Sequence, residues 1–433
     1  MIPEIERLSI EGIKKCQEKA LQGLLQYVNE CSPFYKAYFK KHKIDPAQIK
    51  KLTDLSMIPP IGKKELQENA SDFYCVSRDK IIDYCNTSGT EGEPITIPLT
   101  EKDLERLTYN EYLSLHCAGG SREEIYQLTT TSDRRFMAGL AYVMGARKIG
   151  AGMVRVGPGL PGLHWKTIEE VKPTALIVVP SFLLKLLEYA EDHKIDYKKS
   201  SIKKAICIGE PVRNEDFSLN LIGQKIKEKW DIELYSTYAS TEMATAFTEC
   251  NHGKGGHEHP ELIITELLDD HGQAVAPGEA GELTITTLGV EGMPLIRFKT
   301  GDVCIKYTET CSCGRNTSRL GPILGRKNQM IKYKGTTLYP SVLFDIMENI
   351  VGVHQYVVEV YSNEYANDEI IIRFCAGRDI NMKKLGDQFK SKARVTPQLI
   401  AVSQSELHGL MFSETSRKPV KFIDKRTKVL NDQ

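Results

Sequence analysis

The chain has 433 residues with 57 basic and 57 acidic side chains, and 41% of its residues are hydrophobic. This is an ordinary globular composition, long enough for one large domain and a smaller one. A net charge of zero gives no electrostatic reason to expect a nucleic acid or an anionic membrane as a partner.

Segments that would direct the chain to a membrane or a secretory route are not expected. The first dozen residues lack the apolar core of a signal peptide. The longest apolar run, TALIVVPSFLL, is broken by Pro180 and is too short to span a bilayer. Eleven cysteines, most of them scattered, suit a reducing compartment better than a disulfide framework. We therefore expect a cytoplasmic protein.

The chain opens with a predicted helix. Leu21, Leu24, Leu25 and Val28 recur at helical spacing within residues 4–30. The next segment, SPFYKAYFKKHKI, predicts a second short helix with aromatic residues.

Four short apolar segments between about residue 60 and residue 250 predict buried strands. They are EEIYQLTTTSD, TALIVVPS, KKAICIGEP and IELYSTYASTE. Their β-branched residues and their small or polar ends are typical of a doubly wound sheet, and the segments between them are predicted helices. This part of the chain is therefore predicted to be α/β, with ligands in the crevice beyond the carboxyl ends of the strands.

After residue 250 the pattern predicts antiparallel structure. ELIITELLDDHGQAVAPGEAGELTITTL and PLIRFKTGDVCIKY alternate apolar and polar residues between Gly and Pro turns, which indicates hairpins or a small barrel. The remaining segment predicts a helix, two strands, a helix and a strand, a compact α+β unit of about 100 residues. The predicted organisation is an N-terminal domain over 1–327 and a small C-terminal domain over 328–433.

Residues 86–94, NTSGTEGEP, form a glycine-rich segment after the strand-like KIIDYC. Glycines let backbone N–H groups converge on an anion, and Thr and Ser hydroxyls add donors. The segment is not a P-loop, because no lysine follows Gly92 and the next residues, ITIPLT, are predicted to be a strand. A phosphate site and a plain hairpin turn both remain open for this segment alone.

Nine segments, in the same order, resemble the phenylacetate–coenzyme A ligase family of the adenylate-forming superfamily. They are SPFYKAYF, DLSMIPPIGKKEL, TSGTEGEP, GEP at 209–211, YASTE, GELTITTL, RFKTGD, LGRKNQMIKYKG and RKPVKFIDKR. Each match alone is weak, but their collinearity over nearly the whole chain carries the resemblance. It implies a large adenylation domain followed by a small mobile domain that hinges near Asn328.

By this resemblance the glycine-rich segment binds the phosphates of ATP. The matching positions are Thr87, Ser88, Gly89, Thr90 and Gly92. Glu91 and Glu93 depart from the usual threonine and lysine. Because carboxylates beside a triphosphate weaken its binding, we expect these two side chains to face solvent.

The resemblance implies the rest of the nucleotide site in the same way. Thr241 would bond the α-phosphate and Glu242 would hold Mg²⁺, which prefers carboxylate and phosphate oxygens; a helix capping box is the alternative for these residues. Asp302 would accept bonds from the ribose hydroxyls, with a turn aspartate as the alternative. Arg326 would lie near ribose and phosphate, or at the surface. The other expected nucleotide contacts are Gly209, Glu210, Pro211, Tyr238, Ala239 and Ser240.

Lys418 matches the catalytic lysine of the family, by its spacing from Lys421 in RKPVKFIDKR. Arg417 stands where the family has a glycine. Lys421 itself and a solvated basic tail are the alternatives. The small domain carrying Lys418 would close differently for each of two half-reactions.

Two loop-like segments combine cysteine and histidine. CNHGKGGHEH and TCSCGRN together hold three cysteines and three histidines, and thiolate with imidazole is zinc chemistry. The resemblance selects four ligands, Cys250, His257, Cys311 and Cys313, with His252 and His259 in reserve. Four protein ligands leave no position for water, so the zinc would be structural. Three free buried cysteines are the alternative.

The implied reaction is that of an ATP-dependent acyl-coenzyme A ligase. A carboxylate attacks the α-phosphorus of Mg·ATP to give an acyl-adenylate and pyrophosphate, and the thiol of coenzyme A then displaces AMP. An aryl-acetate, phenylacetate, is the leading acid. The pocket candidates are Phe136, Gly139, Tyr142 and Ala239. Asp133, Arg134 and Arg135 do not suit a purely apolar acid and belong either to the pocket or to the surface.

Two other functions stay open. One is an adenylating enzyme that delivers its acyl group to an amine or a carrier protein. The other is a nucleotide-binding protein without catalysis, motivated by the departures at Glu91, Glu93, Ala239 and Arg417. The expected partners are small molecules, namely the acid, ATP and coenzyme A, and a homodimer is left open.

Overall fold

The computed structural model describes residues 2–87, 94–333, 336–350, 352–363, 368–377, 380–412 and 420–426. The chain divides into two compact units, Met1–Ile323 and Leu324–Gln433. Within the described ranges, no helix has the length and apolarity that a bilayer crossing requires.

The first unit holds α1 to α8 and β1 to β13. Its helices are α1 Ile10–Cys31, α2 Pro33–His42, α3 Lys63–Glu68, α4 Glu101–Cys117, α5 Met137–Ile149, α6 Pro161–Val171, α7 Pro180–Asp192 and α8 Leu221–Lys229. Its strands are β1 Asp83–Asn86, β2 Thr96–Leu99, β3 Ile125–Leu128, β4 Gly152–Arg155, β5 Ala175–Val178, β6 Lys204–Cys207, β7 Glu233–Ser240, β8 Thr245–Thr248, β9 Gly256–His257, β10 Ile263–Leu268, β11 Ala280–Thr287, β12 Phe298–Tyr307 and β13 Arg319–Leu320.

The first two helices agree with the sequence. The predicted apolar face of α1, formed by Leu21, Leu24, Leu25 and Val28, is buried. α2 begins at Pro33. Proline has no backbone N–H, but an N–H at the first position of a helix would have no helical acceptor in any case.

A six-stranded sheet forms the core of the α/β part of the first unit, in the order β4-β3-β5-β6-β7-β8. β4 through β7 pair in parallel, and β8 adds an antiparallel edge. The four predicted buried strands are β3, β5, β6 and β7, so the predicted α/β segment is confirmed. The strand order reverses between β3 and β5, and such a reversal opens a ligand crevice beyond the carboxyl ends of the strands.

Helices cover both faces of this sheet. Leu176 and Val178 of β5 pack with α6, α7 and α8, whereas Ala175 and Ile177 of the same strand pack with α4 and α5. Because alternate residues face opposite helical layers, the strand is apolar throughout. This is the doubly wound arrangement that the sequence predicted.

An antiparallel sheet follows in the order β10-β11-β12-β13-β9. The predicted hairpins are confirmed at β10–β11 and β11–β12, with a β-bulge between Glu282 and Thr284. Among the described residues the pairings run as an open path from β10 to β9. The antiparallel part expected as hairpins or a barrel therefore takes the open form.

The second unit is α+β, as expected. Its elements are β14 Gly325–Arg326, β15 Ile331–Tyr333, β16 Thr336–Leu338, α9 Pro340–Glu348, β17 Val353–Ser362, β18 Asp368–Ala376, α10 Met382–Ala393, β19 Gln398–Ala401, α11 Gln404–Met411 and β20 Phe422–Asp424. β17 and β18 form an antiparallel hairpin, and the sheet order is β19-β18-β17-β20. The predicted helix, two strands, helix and strand are α9, β17, β18, α10 and β19.

Candidate active site

The GEP segment lies directly beyond the carboxyl end of β6. Gly209 has a φ of +71°, a left-handed backbone that favours glycine. Both carboxylate oxygens of Glu210 accept hydrogen bonds from Ser181, one from its backbone N–H at 2.9 Å and one from its hydroxyl at 2.9 Å. Since Ser181 lies in the first turn of α7, where N–H groups lack helical partners, Glu210 joins the ends of β5 and β6 and shapes the crevice wall.

The YASTE and TGD segments meet through one short hydrogen bond. The Tyr238 hydroxyl on β7 donates to Asp302 Oδ2 on β12 at 2.6 Å. Burial, with the adjacent Asp302 carboxylate, raises the pKa of Tyr238 well above its ordinary value, so the hydroxyl keeps its proton. Asp302 is only 9% exposed. The bond therefore fixes the orientation of the carboxylate that was predicted to bind ribose.

Thr241 and Glu242 lie in a turn between β7 and β8. No helix begins here, because the chain enters β8 at Thr245, and the capping-box alternative is therefore wrong. Both residues line a small cavity whose other walls come from α4, from β2 and from the segment after β11. Ala239 and Ser240 are the preceding residues at the end of β7.

The glycine-rich segment connects the two strands of a hairpin. β1 and β2 pair antiparallel, with Asn86 opposite Thr96. Thr87 closes the base of the loop, since its hydroxyl accepts from the Ile95 N–H at 3.0 Å and its own N–H donates to the Ile95 carbonyl at 3.0 Å. The other predicted phosphate positions, Ser88, Gly89, Thr90 and Gly92, lie outside the described residues. The same is true of Glu91, Glu93, Arg417 and Lys418.

The segment before α5 contains an unusual turn. Arg134 and Arg135 both have left-handed backbones, with φ of 56° and 57°, and the Phe136 N–H donates to the Asp133 carbonyl at 3.1 Å. For residues other than glycine this conformation costs about 1–2 kcal/mol each. The three charged side chains are exposed, and the Asn86 N–H donates to the Arg135 carbonyl at 2.9 Å, which ties the turn to the base of the glycine-rich hairpin.

The predicted acid-pocket residues separate into two groups. Phe136 and Arg135 line an open cleft of about 380 Å³ together with Leu140 of α5. A Cβ on Gly139 would lie 2.2 Å from the Thr131 carbonyl oxygen, so this close approach of α5 requires glycine. Tyr142 is instead buried in the core between the sheet, α4 and α5. Arg326 lies half-buried in β14 of the second unit.

The four predicted zinc ligands come together. The ligand atoms of Cys250, His257, Cys311 and Cys313 all lie within 4.8 Å of one another. The Sγ atoms of Cys250 and Cys311 are 3.7 Å apart, and Cys313 Sγ is 3.5 Å from His257 Nε2. Tetrahedral zinc with ligands at about 2.3 Å for sulfur and about 2.0 Å for nitrogen requires a sulfur–sulfur separation of about 3.8 Å and a sulfur–nitrogen separation of about 3.5 Å. The donor set and its spacing therefore fit zinc.

Neighbouring residues set the orientation and the protonation states of these side chains that metal binding requires. His257 Nδ1 lies 3.1 Å from the Thr317 hydroxyl, which leaves Nε2 towards the sulfurs. Burial, with Arg315 nearby, lowers the pKa of His257 to about 3, so the ring is neutral. Burial opposes ionisation of Cys313, but the hydrogen bonds from Arg315 and Cys311, with the charge of Arg315, together outweigh it and lower the pKa of that thiol.

The reserve histidines lie outside the cluster. His252 is exposed. His259 Nδ1 lies 2.6 Å from a carboxylate oxygen of Glu6, and Arg315 donates to the other oxygen at 2.7 Å. His259 therefore helps to bind the N-terminal segment next to the cluster rather than completing it.

One group at the Thr241 cavity was missed by sequence reasoning. Arg106 of α4 is 8% exposed and lines this cavity. In the sequence it is indistinguishable from the solvated arginines that most helices carry, because only the tertiary structure places it against three other chain segments.

A sequence profile of the AMP-binding enzyme family matches residues 10–292. The phenylacetate-coenzyme A ligase of Thermus thermophilus is 28% identical over 395 residues, which cover 89% of this chain and 87% of that protein. The phenylacetate-coenzyme A ligase of Escherichia coli is 26% identical over 349 residues, covering 78% of this chain and 77% of that protein.

Solved structures share the fold. A 2-hydroxyisobutyryl-CoA ligase in its postadenylation state with R3-HIB-AMP superposes with a TM-score of 0.83 at 22% identity, over 98% of this chain and 91% of that chain. The same ligase with 2-HIB-AMP and CoA in the thioesterification state gives a TM-score of 0.71 at 23% identity, over 98% and 92%.

Proposed function

Because the chain belongs to the AMP-binding enzyme family, we propose that it is an AMP-forming acyl-coenzyme A ligase. It activates a carboxylic acid as an acyl-adenylate with release of pyrophosphate, and then transfers the acyl group to the thiol of coenzyme A with release of AMP. The Tyr238–Asp302 bond carries this proposal, because it joins two predicted nucleotide segments beside the crevice of a doubly wound sheet. The phenylacetate-coenzyme A ligases among the relatives support coenzyme A as acceptor and an aryl-acetate as the leading acid.

Each group that the reaction requires is assigned to a residue of this chain. Asp302 accepts from the ribose hydroxyls, and Thr241 donates to the α-phosphate. Glu242 holds Mg²⁺, which neutralises charge on the phosphates when it is bound. The glycine-rich loop supplies N–H and hydroxyl donors to the phosphates. Lys418 provides a mobile positive charge where the acyl–phosphate bond forms.

Positioning and charge stabilisation dominate such a reaction. The protein need not supply a covalent nucleophile, because the substrate carboxylate attacks phosphorus directly and AMP is then a ready leaving group. Fixed donors placed at the developing charge stabilise the transition state more than the separated reactants. For this reason hydroxyl donors such as Thr241, the carboxylates of Glu242 and Asp302, the glycine-rich loop and Lys418 are sufficient for catalysis.

The acid binds next to Phe136 and Gly139, in the region where α5 approaches the segment after β3. Leu104 and Leu140 give the cleft beside Phe136 an apolar wall, and Arg135 adds one exposed guanidinium to its lining. Ala239, at the end of β7, is the remaining candidate for the acid pocket. The phenylacetate-coenzyme A ligases among the relatives support this choice of acid.

The cysteine and histidine cluster is a structural zinc site. Zn²⁺ with three thiolates and one neutral imidazole carries a net charge of −1, and the guanidinium of Arg315, whose Nη1 lies 3.5 Å from Cys313 Sγ, compensates it. None of the eleven cysteines forms a disulfide, which supports a reducing, cytoplasmic location.

Acid-dependent exchange of labelled pyrophosphate into ATP tests the function. A panel of aryl-acetic, benzoic and short aliphatic acids should give exchange with one class, led by phenylacetate, and no exchange without acid. Glu242→Gln should lose Mg²⁺-dependent exchange and keep the wild-type melting temperature, because it removes one hard anionic ligand from the surface of a turn. Exchange without thioester formation would indicate an amine or carrier-protein acceptor, and binding of ATP without exchange would indicate a non-catalytic protein.

A further inference from the structure

The guanidinium of Arg106 joins three other segments of the first unit. Its Nη1 donates to the Ala244 carbonyl at 2.6 Å, and its Nε donates to the Leu288 carbonyl at 2.6 Å. Its Nη2 donates to the Leu262 carbonyl at 2.6 Å and to the Thr245 hydroxyl at 3.1 Å. Each nitrogen of the rigid planar guanidinium therefore donates to the protein, to three backbone carbonyls and a hydroxyl in all, a geometry that the point charge of lysine does not reproduce.

Ala244 is held in a strained conformation by this contact. Its φ is 44°, which a non-glycine residue adopts at a cost of about 1–2 kcal/mol. The Ala244 N–H donates to the Thr241 carbonyl at 3.3 Å. The strained residue thus closes the turn that begins with Thr241 and Glu242, and its own carbonyl is an acceptor of the arginine.

Arg106 and the two motif residues also line the same cavity. One turn earlier in α4, Asp103 accepts from the backbone N–H groups of Glu291 at 2.7 Å and Gly292 at 2.8 Å. The first half of α4 therefore fixes two walls of the cavity, one through Asp103 and one through Arg106.

The charge of Arg106 persists at working pH. Burial lowers the pKa of Arg106 to about 10, and the guanidinium is still protonated at neutral pH. A buried charge is costly unless it is well solvated by the protein. Its four acceptors, three carbonyls and a hydroxyl, provide this solvation.

We propose that Arg106 is a positioning residue for adenylation. By holding Ala244 in its left-handed conformation it sets Thr241 and Glu242 at the α-phosphate and the metal ion. This inference rests on the proposed function, and it assigns a role to a residue of α4 that touches neither nucleotide nor acid.

Arg106→Gln tests the inference in the full chain. A small displacement of a positioned group can cost about 10²-fold in rate, so kcat for pyrophosphate exchange should fall by about that factor. The Mg²⁺ concentration for half-maximal exchange should rise, whereas KM for the acid should change little. Arg106→Lys should be intermediate, and it keeps the test available if the glutamine variant does not fold.

A second substitution separates positioning from folding. Ala244→Gly lets the turn adopt a positive φ without strain, so it should restore part of the exchange rate when combined with Arg106→Gln. Arg213→Gln is the matched control. It removes a half-buried arginine that pairs with the buried Glu249 at 2.7 Å outside the cavity, and it should lower the melting temperature without shifting the Mg²⁺ dependence.

The outcomes distinguish this inference from the proposed function. If the wild-type protein exchanges pyrophosphate but Arg106→Gln changes only the melting temperature, as Arg213→Gln does, the positioning role is overturned. It is also overturned if Ala244→Gly restores nothing. If the wild type gives no exchange with any acid, the proposed function fails, and the role of Arg106 is then judged by calorimetric binding of Mg·ATP, which Arg106→Gln must weaken.

Discussion

The hydroxyl of Tyr238 and the carboxylate of Asp302 form the best-defined pair in the candidate site. Hydrogen bonds to a charged group contribute about 1.5–3 kcal/mol. Asp302→Ala should therefore weaken ATP binding by about 10- to 100-fold, because two ribose hydroxyls lose their acceptor. Tyr238→Phe should have a smaller effect in the same direction, since it frees the carboxylate without removing it. Calorimetric titration with ATP measures both.

Asp269→Ala is the control for this prediction. Asp269 is a turn aspartate whose carboxylate accepts from the backbone N–H of His271 at 2.8 Å and of Gln273 at 2.8 Å. This substitution should leave ATP affinity unchanged. Wild-type affinity in Asp302→Ala would mean that Asp302 is itself only a turn or structural aspartate.

Glu111 predicts a pH dependence of stability. Burial raises the pKa of Glu111 from 4.5 to about 8, so the carboxyl is neutral in the native protein at pH 7 and ionised in the unfolded chain. Folding then takes up a proton between about pH 4.5 and pH 8, and the free energy of unfolding falls as pH rises through this window, by up to about 1.4 kcal/mol per pH unit.

Glu111→Gln should flatten this pH dependence. The amide oxygen can still accept the Asn110 bond, which is 3.2 Å long in the wild type, and it needs no proton. Melting temperatures measured from pH 5 to pH 8 should fall less in the variant, which should be the more stable protein at pH 8. Parallel curves for the two proteins would show that Glu111 is ionised in the native state.

Residues that stand in motifs could be proposed as site residues from the sequence. Residues whose role depends on burial could not. Asp302, Thr241 and the zinc ligands were predicted because they stand in short segments that resemble those of a known family. Arg106 and Glu111 are ordinary polar residues on a helix until the other elements pack against α4. The hydrogen-bond acceptors of Arg106 lie more than a hundred residues away in the sequence, so no local pattern identifies this arginine.

Among the elements, the two cysteine-bearing loops should behave as one zinc-dependent unit. The protein should contain about one zinc per chain, as a four-ligand site implies. If the cluster is the proposed structural zinc site, Cys311→Ser combined with Cys313→Ser should remove the zinc and lower the melting temperature by several degrees, while ATP affinity changes less. Elemental analysis and thermal melts measure these effects.

Cys16→Ser is the control for the zinc site, since Cys16 is exposed. It should change neither metal content nor melting temperature. Protein purified without chelator and free of zinc would contradict the assignment, and the four side chains would then be buried free groups.

The strands of the sheet could be predicted because both of their faces are buried, which leaves continuous apolar runs such as TALIVVPS. The turn at Arg134 and Arg135 could not, because two successive non-glycine residues with positive φ are disfavoured locally and are stabilised only by surrounding contacts. The closure of the antiparallel part was equally undetermined. Alternation specifies hairpins but not whether the last strand pairs with the first.

The proposed reaction has two half-reactions, and they require different catalytic groups. Lys418→Ala should abolish formation of the acyl-adenylate, because it removes a positive charge where charge gathers in the transition state. It should still convert a supplied acyl-adenylate and coenzyme A to thioester. Single-turnover assays of each half-reaction measure the two effects separately.

Lys421→Ala is the matched control for Lys418. In the second unit Lys421 Nζ lies 2.7 Å from a Glu348 carboxylate oxygen and 5.3 Å from the centre of the Tyr356 ring. These contacts support a structural role, so its substitution should affect adenylation only mildly. Loss of adenylation in Lys421→Ala would shift the catalytic position, and equal slowing of both half-reactions in Lys418→Ala would remove support for two distinct closures.

An AMP-forming acyl-coenzyme A ligase couples ATP cleavage at the α-phosphorus to thioester formation on one chain. The most direct measurement quantifies all products of a reaction with ATP, Mg²⁺, coenzyme A and the acid that gives pyrophosphate exchange. We predict AMP, pyrophosphate and acyl-coenzyme A in a ratio of one to one to one, with no AMP formed when the acid is omitted. ADP in place of AMP, or AMP without acyl-coenzyme A, would contradict the account.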